Sequence, residues 1–230
     1  SDAAVSEKNI TRSEHRPFIS MDVLESKVIL EEILKQDLLS MFHTWIECGR
    51  INHDRIKQQA VGTGLARSLR EKPYNREVYD EIEKFVFDKS NTTNERGGVL
   101  DVLGWSGTKD SLDILIRAVT ALDDDDLRRF AREMIKIAAG WGRDELSPAL
   151  ERVWEESQDR AMLGTVALAM GKVGAPSGVK LLLAAAIEPG DENAVRRYVA
   201  EGALAEIISP HSVPLLSELL ANQPSASPLN

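Results

Sequence analysis

The chain repeats itself at an interval of roughly thirty to thirty-five residues, the interval that stacked helical pairs produce. Ile82, Leu115, Leu150, Leu182 and Leu216 fall in register, and Val86, Val119, Trp154, Ala186 and Leu220 follow them one helical turn later. That offset puts both members of each couple on one face of a helix. A single helical pair leaves apolar surface that only a neighbouring pair can cover, so the units must stack. A period this long fixes an architecture and names no chemistry.

Composition agrees. The 230 residues are 43% hydrophobic but only 5% aromatic, and Ala and Leu are frequent, which suits close-packed helices better than a β-sandwich. A chain of this length buries a core without staples. No run approaches the roughly 18 apolar residues of a membrane span, so no membrane insertion is expected. The one cysteine, Cys48, excludes an internal disulfide and a cysteine-only metal cage; a small buried residue near a helix end is expected there. Residue 1 is Ser, and the compartment stays open between the cytoplasm and export after removal of a signal. The net charge of −9 argues against nucleic acid as a partner, because phosphates are met by clustered Lys and Arg. A local basic stripe can nevertheless sit on an acidic body.

Along the chain, residues 1–19 are polar and without period and are expected to form a flexible lead-in. Ser20 and Asp22 can cap a helix carrying Val23, Leu24, Val28, Ile29 and Ile33, and a second apolar stretch over 38–46 ends at Gly49. This pair, 20–49, reads as an N-terminal capping unit. Regular pairs then fill 54–221, with first helices expected over about 54–70, from 94 to 103, from 127, over 158–171 and from 191. Second helices are expected over about 75–88, 109–122, from 144 and from Pro176. Pro148 falls in a first turn, where proline is tolerated. Residues 222–230 are too polar and proline-rich to continue and read as a disordered tail.

The segments DENAVRRYVAEGALAEIISPHSVPLLSELL (191–220) and QDRAMLGTVALAMGKVGAPSGVKLLLAAA (158–186) resemble the short bacterial HEAT-like repeats of the phycobilin-lyase type. The resemblance covers about 94–221 and extends to 54 with less regularity. It implies an all-α fold, a right-handed α-solenoid of stacked antiparallel helix pairs. It also implies a role as a non-catalytic scaffold that binds a protein or peptide along the concave face lined by second helices. The same family allows a bilin-lyase-type enzyme or enzyme subunit, and, against the charge, a nucleic-acid-binding protein. Gly104, Gly140 and Gly171 are expected to release the chain at the turns. Arg129, Arg160 and Arg197 are expected to tie neighbouring units. Ile207, Ile208 and Ser209 supply no turn glycine, and Gly97 and Gly98 weaken a helix that should be continuous.

Catalytic constellations are not found. His15, His43, His53 and His211 form no HExxH, and neither GxxxxGK[ST] nor a GxGxxG turn is present. His43 and Cys48 stand about 140° apart on a helix and are poorly placed to pair. The four aspartates at 123–126 lack the alternating ligands of a calcium loop and are expected to cap the following helix. No cofactor and no metal are therefore expected.

Two features point to a partner surface. Trp105 and Trp141 occupy the same turn position in consecutive units, where Lys172 stands in the next; they form either an exposed platform or packing between turns. The second is a column on the second helices, two residues after the aligned core positions: Lys84, Arg117, Arg152, Ala184 and Glu218, with Lys180 one turn away. Either these cations make a basic track for an acidic partner, or Glu83, Asp113, Glu151 and Glu155 neutralise them.

Overall fold

The computed structural model describes residues 36–50, 55–141, 143–188, 190, 193–205 and 217. The lead-in, the helix expected from Ser20 to Ile33, the tail, and Leu216, Glu218 and Leu220 lie outside the described residues. Among those described, every regular element is helical. In chain order these are α1 (Leu38–Arg50), α2 (Arg55–Glu71), α3 (Arg76–Phe87), α4 (Thr93–Ser106), α5 (Lys109–Ala121) and α6 (Asp125–Ala139). A 3-10 turn (Asp144–Leu146) leads into α7 (Ser147–Glu156), followed by α8 (Arg160–Val173), α9 (Pro176–Ile187) and α10 (Ala194–Ala205).

Polar side chains start these helices where the backbone N–H groups lack helical partners. Thr92 caps α4 with a reciprocal capping box to Glu95, Thr108 caps α5, and Asp124 accepts from the backbone of Asp126 and Leu127 at the start of α6. Asp159 does the same for α8, while Pro148 and Pro176 sit in the first turns of α7 and α9.

Consecutive helices pack in pairs, and alternate helices pack in rows. The helices α2, α4, α6, α8 and α10 form one row, and α1, α3, α5, α7 and α9 the other. The first row is the more closely packed, and it is where small residues let helices approach. A Cβ at Gly104 would lie 2.9 Å from Met134 Sδ, on α6. One at Gly98 would lie 2.8 Å from Trp45 Cζ2, so the glycine that breaks the pattern of α4 is the one that admits the α1 indole.

The register read from the sequence is the core register. Ile82, Leu115, Leu150 and Leu182 are fully buried, as are Val86 and, nearly so, Val119 and Trp154, with Ala186 packed at the margin. One apolar cluster runs from Leu38 to Ala203 between the two rows. Side chains also tie helices that are distant in sequence. Tyr79 Oη lies 2.8 Å from Thr108 Oγ1, Thr93 donates to Asp124 at 2.9 Å, Arg50 donates to Glu95 at 2.5 Å, and Lys72 reaches the Gln36 carbonyl at 2.8 Å.

Two expectations need correction. Gly104 and Gly171 are buried inside α4 and α8; the helices run on to Gly107 and Gly174. Those two carry the left-handed φ of 59° and 68° that ends them, a conformation that disfavours a side chain. Of the expected arginine ties, Arg197 reaches the preceding helix as expected, and Arg129 does not. Among the described residues Arg129 pairs within its own helix, with Asp126 at 2.9 Å, while its neighbour Arg128 reaches the Leu122 carbonyl at 3.0 Å. Arg96, 5% exposed, does the same to the Val86 carbonyl at 2.7 Å, and Arg197 to that of Glu188 at 3.2 Å. In each case the guanidinium satisfies backbone acceptors at the C-terminal end of the preceding helix. Arg160 instead lies 5.8 Å from the Tyr198 ring of the next first-row helix.

Candidate interaction site

Second helices bury one stripe and expose the other, so residues two positions from a buried Ile82, Leu115, Leu150 or Leu182 face solvent. Lys84, Arg117, Arg152, Lys180 and Ala184 are all exposed. Their charges are not uniform along the face. Arg117 of α5 holds both carboxylate oxygens of Glu83 on α3, the Nη2 bond at 2.9 Å. Arg152 of α7 lies 3.7 Å from Asp113 of α5, which Lys109 also approaches at 3.0 Å. Lys84 lies 3.7 Å from Glu81, and Glu151 accepts from Ser147 and Ser177. Across α3, α5 and α7 the column is a ladder of alternating sign; among the described residues Lys180 has no ion-pair partner.

The two indoles come together at the edge where first helices turn into second ones. The Trp105 and Trp141 rings meet edge to face, centroids 6.3 Å apart, a favoured aromatic geometry. Each keeps a large exposed part, 48% for Trp105 and 40% for Trp141. The rings therefore pack against one another across neighbouring turns while each stays partly exposed. Trp141 rests on Gly107, where a Cβ would come within 2.4 Å of the indole. The Trp105 Nε1–H donates to Asp101 one turn earlier, at 3.1 Å, and burial pushes the Asp101 carboxyl up despite that bond.

A third group, absent from the sequence reading, completes the corner. Arg70, near the end of α2, lays its guanidinium over the Trp141 ring, 3.7 Å from the centroid. Its Nε is buried and has no hydrogen-bond partner. Burial makes this guanidinium less basic than usual, with the nearby Arg143 adding to the effect and Glu71 opposing it. Arg67 and Arg143 have carboxylate partners, Glu71 and Glu145, both at 2.9 Å. The Asp101 and Trp105 pairing could be read from their one-turn spacing. The Arg70 contact spans three consecutive units and depends on how they stack, for which no local pattern exists.

The remaining candidates are structural. All four aspartates at 123–126 are engaged. Asp123 pairs with Lys89 at 2.5 Å, Asp124 caps α6, and Asp125 and Asp126 pair with Arg128 and Arg129. Cys48 is buried in the core. Among the described residues no group of His, Cys, Asp and Glu is arranged to hold a metal ion, and no helix is long and apolar enough to cross a membrane. No protein-family model and no curated protein sequence matches the chain.

Proposed function

We propose that the chain is a non-catalytic interaction scaffold: a HEAT-like, right-handed α-solenoid over residues 20–221 that binds a protein or peptide. The proposed binding surface is the exposed face of the second helices, with Trp105 and Trp141 at its edge. The two rows of helices and the ties between helices distant in sequence support the solenoid. The observation that carries the functional reading is the pair of indoles from consecutive units, in ring contact and each still 40% or more exposed. Tryptophan and arginine are the residues on which binding energy concentrates at protein interfaces. The ladder of Lys84, Glu83, Arg117, Asp113 and Arg152, ending at Lys180, gives a partner a pattern of charge to match, which favours correct register over raw affinity.

The test is quantitative capture from the lysate of the source cell, with three immobilised variants beside the intact chain. Arg117→Glu with Arg152→Glu alters the ladder, Trp105→Ala with Trp141→Ala removes the rim, and Arg129→Glu changes an exposed charge on the first row. Partners retained by the intact chain and the Arg129 variant, and lost by either of the others, are the expected result. Identical capture by all four baits would contradict the scaffold reading.

A further inference from the structure

We propose that the corner formed by Trp105, Trp141 and Arg70 recognises an acidic peptide, an apolar side chain of the ligand lying on the indoles and a carboxylate of it meeting the Arg70 guanidinium. This rests on the scaffold reading and names the chemistry of its partner.

Three observations lead to it. The first is the exposed apolar area itself: the two rings are 48% and 40% exposed, and Tyr74, stacked on Tyr79 with centroids 5.6 Å apart, adds a ring that is 61% exposed at the preceding turn of the same edge. The Tyr79 hydroxyl bonds Thr108, which caps the helix just after Trp105, so the aromatic groups share one framework.

The second is Arg70's lack of an acceptor. Of the three arginines gathered here, Arg67 and Arg143 are already matched by Glu71 and Glu145. Arg70 has no hydrogen-bond or ion-pair partner among the described residues, although its Nε is already withdrawn from water. The Arg70 guanidinium lies over the indole, 3.7 Å from its centroid, and a planar guanidinium held on a ring can still meet a carboxylate through its N–H groups. The chain has supplied the stacking half of an arginine site and left the acceptor half open. Placing an anion there also relieves the local repulsion from Arg143, the charge that, after burial, lowers Arg70's basicity.

The third is preorganisation. Trp105 is held by Asp101 at 3.1 Å, and Trp141 is seated on Gly107 beneath the arginine. Rings and cation fixed before binding spend little conformational entropy when a ligand arrives. The chain carries a net charge of −9, so the body of the molecule repels an acidic ligand, and an unmatched cation such as Arg70 attracts it locally.

The experiment is a selection of random displayed peptides on the full chain, followed by anisotropy titration of the best synthetic peptide and of its analogue with Asp and Glu changed to Asn and Gln. The expected pool pairs an acidic residue with a neighbouring aromatic or aliphatic one. The amide analogue, Arg70→Gln and Trp105→Ala should each weaken binding by roughly tenfold or more, the loss that follows from removing one partner of a matched contact. Arg70→Lys should restore only part of it, since an ammonium lacks the planar fork. Trp105→Ala keeps the test valid should the arginine variants fold poorly. A pool without acidic enrichment, or binding unchanged by both Arg70→Gln and Trp105→Ala, overturns the proposal. Peptides lost by Arg117→Glu with Arg152→Glu but indifferent to the corner would overturn it while leaving the scaffold reading standing. No enriched peptide, with a self-association that Trp105→Ala abolishes, would show the corner to be a contact between copies of the chain and would also overturn it.

Discussion

At the scale of single residues, burial and space decide what each position tolerates. Leu150 and Leu182 have no solvent exposure, and truncating either to Ala should cost about 2–5 kcal/mol, the loss of transfer free energy plus a cavity. Urea denaturation would measure it, and a cost near that of surface substitutions would mean the register is misplaced. The two indoles should differ. Trp141 carries Arg70 on one face and rests on Gly107, whereas Trp105 has a single hydrogen bond and more solvent. Trp141→Ala should therefore lower the melting temperature more than Trp105→Ala. Asp101 supplies a pH test. Burial raises its carboxyl above the ordinary value of 3.8, so the folded chain binds that proton more readily than the unfolded one. Such a group favours folding as pH falls through its folded pKa. Asp101→Asn keeps an acceptor for the indole; it should be more stable than the wild type at neutral pH, and the gap should close as pH falls toward 3.8.

At the scale of helices, the ends are where sequence and structure part. The apolar period located each described helix to within a few residues because side chains one turn apart share a face. It could not separate a glycine that ends a helix from one that lets two helices touch, since both lie near the end of the apolar stripe. Gly104 and Gly107 are three residues apart and do these two different things. Likewise, Arg128 and Arg129 are adjacent and only one points back to the preceding helix. The caps were more legible, because a hydroxyl or carboxylate before an apolar run has a local partner. Thr92 and Glu95 close a reciprocal box, and Thr92→Ala should cost about 1 kcal/mol in thermal or urea unfolding. A change at Gly107 should cost more, since any Cβ there meets both a left-handed φ and the Trp141 ring.

At the scale of the whole molecule, the all-helical class was legible because apolar residues one turn apart recur along the described chain, and its helices bury them between two rows. The partner surface was legible only in part. The positions of Lys84, Arg117, Arg152 and Lys180 on the exposed stripe follow from the period, but their pairing across units, as in Arg117 with Glu83, follows from helix spacing. Arg70 over Trp141 was out of reach for the same reason. The account turns on these two indoles remaining accessible while Trp45 and Trp154 are buried, at 5% and 3% exposure. Fluorescence quenching by acrylamide, on the intact chain and on Trp105→Phe with Trp141→Phe, measures this directly. Two populations of indole are expected, an accessible one that disappears in the double variant and a shielded one that stays, with the helical circular dichroism unchanged. A single shielded population in the intact chain would contradict the exposed corner and the interaction surface built on it.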